Sequence, residues 1–159
     1  MEKRPLSRTV PRFPAVAYPA PAGTASMRVG RDNLRQPRRL LLDVRSPEEY
    51  TGKRVSEYSF QVDHGAERTG RIPGAVHLYY KELLNEDDSF KSPDQLRGVL
   101  AAAGVAPEKY EDVVCYCRLS HRATIGWIAL NHIVGDGNVK IYDGSWTEWD
   151  SIVGYPIET

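Results

Sequence analysis

Four short apolar runs, separated by segments with helical spacing, constrain this chain more than any other feature. They are RLLLDV (Arg39 to Val44), AVHL (Ala75 to Leu78), DVVCYC (Asp112 to Cys117) and VKIYD (Val139 to Asp143). Runs of this length and composition read as strands buried on both faces. The intervening segments carry helix signals. SPEEY offers a serine cap with Pro47 at the first helical position, and SPDQLRGVLAAAG repeats that signature before closing on Gly104. RATIGWIALNHIVG sets Ile125, Ile128, Ala129, His132 and Ile133 near one helical face and stops at Gly135. Strands alternating with helices predict an α/β fold, with a central, mainly parallel sheet of about five strands and helices on both faces. In such sheets, sites gather beyond the carboxyl ends of the strands.

Length and charge narrow the function classes. The 159 residues suit one ordinary domain with its own core. Twenty-one basic and 21 acidic residues cancel, so neither nucleic acid nor an anionic membrane is an expected partner. No apolar run approaches the roughly 20 residues that span a bilayer, and the N-terminus lacks a signal-type apolar stretch, so a cytoplasmic location is expected. Residues 1–30 differ in texture. Pro5, Pro11, Pro14, Pro19 and Pro21 remove backbone donors there and favour extended chain, which reads as an arm or linker ahead of a folded domain at 31–159.

Cys117 stands where the third strand gives way to a helix. CYCRLSHRAT holds both cysteines of the chain, two arginines and a histidine within ten positions. A tight loop from Arg118 to Arg122 at a helix N-terminus aims backbone N–H groups toward one point. With Arg118 and Arg122 beside it, a Cys117 thiol is favoured as thiolate, the nucleophilic form. Cys115, inside the strand, reads instead as a buried structural thiol. Cysteine phosphatases leave five residues between cysteine and arginine, enough to cradle a tetrahedral phosphate. Here four residues separate Cys117 from Arg122. The smaller nest suits a thiolate or a single bound sulfur atom, which makes a phosphatase the weaker alternative.

LLDVRSPEEY, GRIPGAVHL, FKSPDQLRGVL, CRLSHRA and YDGSWTEW occur in an order and spacing that resembles the rhodanese-like sulfurtransferases. The likeness runs from Arg39 to Ile157 and is greatest to the catalytic C-terminal half of the two-domain thiosulfate and 3-mercaptopyruvate enzymes. It implies a transfer of sulfane sulfur through a Cys117 persulfide, from a small donor to a thiol, cyanide or protein acceptor, without cofactor or metal. Arg118, Leu119, Ser120, His121 and Arg122 would form the substrate-binding cradle. Asp43 and Arg45 would support the loop through hydrogen bonds and ion pairing. The proline-rich arm resembles an interdomain linker, which implies a missing N-terminal half. A sulfur-relay or binding module, weakly active without that half, is the second functional expectation.

Departures from the family pattern bear on the donor. Arg118 favours thiosulfate over 3-mercaptopyruvate, yet Glu49 occupies the position matching the family's substrate-binding arginine. A carboxylate there repels an anionic donor unless it pairs with an arginine such as Arg122 or Arg71. His121 and Arg122 replace smaller residues of the two-domain enzymes. Gly74 reads as a turn glycine, Asp143 to Trp146 as the family's turn after the last long strand, and Trp146 and Trp149 as packing aromatics. His64 falls in a surface excursion, Thr51 to Gly70, while His77 and His132 read as satisfied packing residues. Cys115, Cys117, His121 and His132 lack the paired short loops of a structural zinc site.

Overall fold

The computed structural model describes residues 36–56 and 66–159. The proline-rich arm and His64 lie outside the described residues. Strands β1 (Arg39–Asp43), β2 (Val76–His77), β3 (Asp112–Tyr116) and β4 (Val139–Ile141) form one parallel sheet in the order β2-β1-β3-β4. Among the described residues the sheet has four strands where about five were expected. Leu41 pairs with Val114, and Val114 in turn with Lys140, so β1 and β3 occupy the centre. Each apolar run outlasts its strand: Val44 and Cys117 lie just beyond the last paired residues.

The alternation of side chains along a strand divides the core in two. Leu40, Leu42, Val113 and Cys115 face helices α2 (Pro93–Ala102) and α3 (His121–Trp127), together with the wider π-helical turns that continue α3 through Ile128–Val134. Leu41, Val114 and Tyr116 face Trp146 and Trp149 of α4 (Ser145–Ser151) and the tail residues Tyr155 and Ile157. Helices therefore cover both faces, as expected. Full burial of a leucine on either side contributes about 1.5–3 kcal/mol. Among the described residues no helix is long and apolar enough to cross a membrane.

Both serine-proline signals close capping boxes. In α1 (Pro47–Tyr50) the Glu49 N–H donates to Ser46 Oγ at 3.3 Å while the Ser46 N–H donates to Glu49 Oε2 at 3.0 Å. In α2, Ser92 and Gln95 repeat the arrangement. The face expected for α3 needs correction. Ala129 is buried and Ile125 and Ile133 pack half-buried against the core, as expected, but Ala123, Gly126 and Leu130 are buried too, Ile128 is half-buried, and His132 is exposed, its ring centroid 4.7 Å from that of Trp127 in an edge contact. The helix lies so close to the sheet that a Cβ on Gly126 would stand 3.2 Å from Val44 Cγ1 and 3.4 Å from Cys115 Sγ. Small residues must face inward there. The π-helical turns from Ile128 onward then shift the phase of every later side chain.

Candidate active site

Cys117 follows β3 at the carboxyl edge of the sheet and is 1% exposed. The chain leaves it through buried Arg118 and half-buried Leu119 and Ser120, turns at Ser120 with φ +65°, and enters α3 at exposed His121. The loop is held from beneath by the turn after β4. Ser145 Oγ accepts the backbone N–H of Cys117 at 3.3 Å and that of Ser120 at 3.0 Å, and donates to the Tyr142 carbonyl at 2.8 Å. Ser120 Oγ donates to Asp143 Oδ1 at 3.0 Å. The Trp146 and Thr147 N–H groups donate to the Cys117 and Arg118 carbonyls at 2.9 and 3.1 Å. One fully buried hydroxyl thus ties both ends of the Cys117–Ser120 loop. Sequence reasoning took this stretch for a turn with packing tryptophans and missed Ser145. The available signal was a small hydroxyl residue just beyond β4, the neighbour of β3.

The two thiols occupy the same face two residues apart. Cys115 is fully buried, and that burial, reinforced by neighbouring Cys117, pushes its thiol up to about 12. Its Sγ packs toward Gly126 in the core, in keeping with the structural reading.

Charge around the loop is organised in pairs. The Asp43 and Arg45 side chains are wholly buried and bonded to each other at 2.6 Å, and Arg45 also donates to the Gly70 carbonyl at 2.8 Å. The Arg45 guanidinium lies 4.6 Å from the Trp146 ring. This pair therefore bears on Cys117 indirectly, through the tryptophan whose N–H holds the cysteine carbonyl. The Glu49 carboxylate, also fully buried, receives two hydrogen bonds from Arg122, at 2.7 Å to Oε2 and 2.8 Å to Oε1. Of the two arginines the sequence offered Glu49, Arg122 is the partner; Arg71 instead bonds Glu158 and stacks over Tyr50. Arg118 is held below the ordinary arginine range chiefly by burial, with opposing influences from the Glu49 and Arg122 charges. His77 donates its Nε2–H to the Arg45 carbonyl at 2.8 Å and stacks on Tyr50, a packing role as expected. Gly74 takes φ +80° in the turn before β2. Among the described residues no three His, Cys, Asp or Glu side chains converge as metal ligands. An open groove of about 700 Å³ lies elsewhere, between the ends of α2 and the π-helical turns, and holds none of these groups.

The chain is thus a parallel α/β domain with a cysteine at the carboxyl edge of its sheet, in a loop clamped by a neighbouring turn. Residues 28–152 match the family model of the rhodanese-like domain, and the chain belongs to that family. It is 38% identical over 163 residues to "Sulfur carrier protein TtuD" of Thermus thermophilus, covering 98% of this chain and 56% of that protein. It is 40% identical over 160 residues to "Putative thiosulfate sulfurtransferase" of Haloferax volcanii, covering 97% of this chain and 54% of that one. The chain thus spans about half the length of the curated relatives it matches. Among solved structures, the anaerobic ergothioneine biosynthesis enzyme from Chlorobium limicola superposes with a TM-score of 0.71 at 25% identity, over 87% of this chain and 32% of that one. A structure of EanB bearing a cysteine persulfide, with ergothioneine, superposes with the same score.

Proposed function

We propose that this domain transfers sulfane sulfur through Cys117, taking it from a donor such as thiosulfate, ahead of 3-mercaptopyruvate, and passing it to a thiol, cyanide or protein acceptor. The Cys117 thiolate attacks the outer sulfur of thiosulfate. The new Sγ–S bond forms as the donor's S–S bond breaks, sulfite leaves with the electron pair, and Cys117 carries a persulfide anion. Attack by the acceptor on the outer sulfur restores the thiolate. The observation that carries this reading is the loop itself: a buried cysteine beyond β3, its backbone fixed at both ends by Ser145 Oγ, with Arg118 and Arg122 on the same short segment. A rigid loop cradles anionic sulfur without reorganising during transfer. Arg118, Leu119, Ser120, His121 and Arg122 form that cradle, and Asp43 and Arg45 brace it from the sheet edge.

A sulfur-relay role, handing sulfur to a protein acceptor, is the second reading, favoured by the similarity to a protein named as a sulfur carrier. The chemistry at Cys117 is the same in both. Intact-mass spectra of the wild type and of Cys117→Ser, after incubation with thiosulfate and separately with 3-mercaptopyruvate, test the proposal. One added sulfur atom in the wild type alone, removed by cyanide, supports it; no adduct from either donor counts against small-molecule donors.

A further inference from the structure

The Glu49–Arg122 pair joins the carboxyl ends of the two central strands. Glu49 follows β1 and Arg122 follows β3, 73 residues later, yet the guanidinium meets the carboxylate through two parallel hydrogen bonds. The carboxylate is fully buried, and the Arg122 side chain retains 17% of its exposure. Both charges act on Arg118, which belongs to the loop that follows Cys117. A buried carboxylate bonded on both oxygens cancels most of the field of its arginine at that distance. The loop therefore presents a smaller positive charge than its two arginines suggest.

We infer that Glu49 is a specificity-determining residue: by neutralising Arg122 it lowers the advantage that two free arginines would give a doubly charged donor such as thiosulfate, and so admits beside it donors with at most one negative charge, the organic persulfides R–S–SH. This rests on the reading of Cys117 as the sulfur acceptor. The step balances without a further reagent. The Cys117 thiolate attacks the terminal sulfur of R–S–SH, the Sγ–S bond forms, the donor S–S bond breaks with its electron pair on R–S⁻, and the hydrogen stays on the transferred sulfur.

Coulombic attraction scales with the product of charges, so removing the Glu49 charge helps a dianion about twice as much, in free energy, as a monoanion. The decisive variant is Glu49→Gln. The fold already contains its precedent, since Gln95 closes the same capping box in α2, its N–H and Oε1 bonded to Ser92 as the N–H and Oε2 of Glu49 are to Ser46. In sulfur transfer to cyanide, kcat/KM for thiosulfate should rise about tenfold in Glu49→Gln, mainly through KM, against at most about threefold for the persulfide of 2-mercaptoethanol, which carries one charge or none. The gain should shrink in high salt. The double variant Glu49→Gln with Arg122→Gln, which removes both charges and so restores the net neutrality of the pair, should return the donor ratio to that of the wild type. A donor ratio unchanged in Glu49→Gln, or one that the double variant fails to restore, overturns the inference. Calorimetric binding of thiosulfate to Cys117→Ser, with and without Glu49→Gln, separates the two readings. Tighter binding supports the charge assignment even if no donor yields a Cys117 persulfide, an outcome that would overturn only the sulfur-transfer reading; equal binding rejects the charge assignment.

Discussion

Cys115 and Cys117 sit on one strand run, point to one face and are both nearly inaccessible, yet their surroundings differ in kind. Cys115 lies in mid-strand, its backbone paired on both sides and its sulfur against Gly126 and the apolar core. Two residues later the ladder has ended, and the backbone of Cys117 is bonded to a serine hydroxyl and to the first residues of α4. Burial alone therefore does not tell these two thiols apart. What separates them is whether the surrounding backbone polar groups are spent on the sheet or gathered by a loop.

The sharpest way to break this comparison is to exchange the nucleophile. Cys117→Ser should lower sulfur transfer by at least about a thousandfold, the scale seen when a covalent nucleophile is removed. Cys115→Ala should leave kcat within about twofold, because its sulfur makes only packing contacts. Comparable losses in steady-state assays of the two variants would mean that the thiols act together.

Ser145→Ala sharpens the comparison from the loop side. It deprives two backbone N–H groups of their acceptor, at a cost of roughly 1–3 kcal/mol for each that stays buried and unbonded. The melting temperature should fall, and transfer should fall further than stability accounts for, since the cradle loses its fixed shape. Cys115 should remain as protected from alkylation as in the wild type. A variant with unchanged kcat would show that Trp146 and Thr147 alone hold the loop.

These residues also show which features the sequence made legible. Local signals were readable: the strand runs, both capping boxes and the position of Cys117 depend on neighbours within a few residues. The Ser145 clamp joins positions 25 and 28 residues apart, and the Glu49–Arg122 pair spans 73, so each exists only once β1, β3 and β4 are adjacent. Glu49 could be flagged as needing an arginine, but only the sheet order chose Arg122 over Arg71. The buried face of α3 was legible in part: Ala129 is buried and Ile125 and Ile133 pack against the core, but hydrophobic periodicity gives no weight to Ala123 and Gly126, which close approach to the sheet selects.

Alkaline titration reads the Cys115 environment. Its folded-state value lies above that of the unfolded chain, so the unfolded state loses the proton first. Stability is fully present below about pH 9 and is lost as the pH rises toward about 12, with a slope of up to about 1.4 kcal/mol per pH unit from this one group. Tyr116 and Tyr142, also raised by burial, add the same sign above pH 10. Denaturant unfolding between pH 9 and 10 should therefore show a slope in the wild type that Cys115→Ala flattens. Equal slopes would mean that water reaches Cys115.

The smallest expected effect comes from the helix facing both thiols. In Gly126→Ala the new methyl meets Val44 at 3.2 Å and Cys115 Sγ at 3.4 Å, tight enough that α3 or the strand must yield by a few tenths of an ångström. Better helix propensity returns up to about 1 kcal/mol, while overpacking costs typically 1–3 kcal/mol, so the net loss should be about 1 kcal/mol. The displacement falls on Cys115 and Val44, whereas α3 begins five residues earlier beside a loop anchored separately by Ser145. Transfer through Cys117 should accordingly change less than twofold while the melting temperature drops. A large loss of activity with little loss of stability would show that the loop takes its shape from the helix behind it, and that the two thiols share one mechanical environment after all.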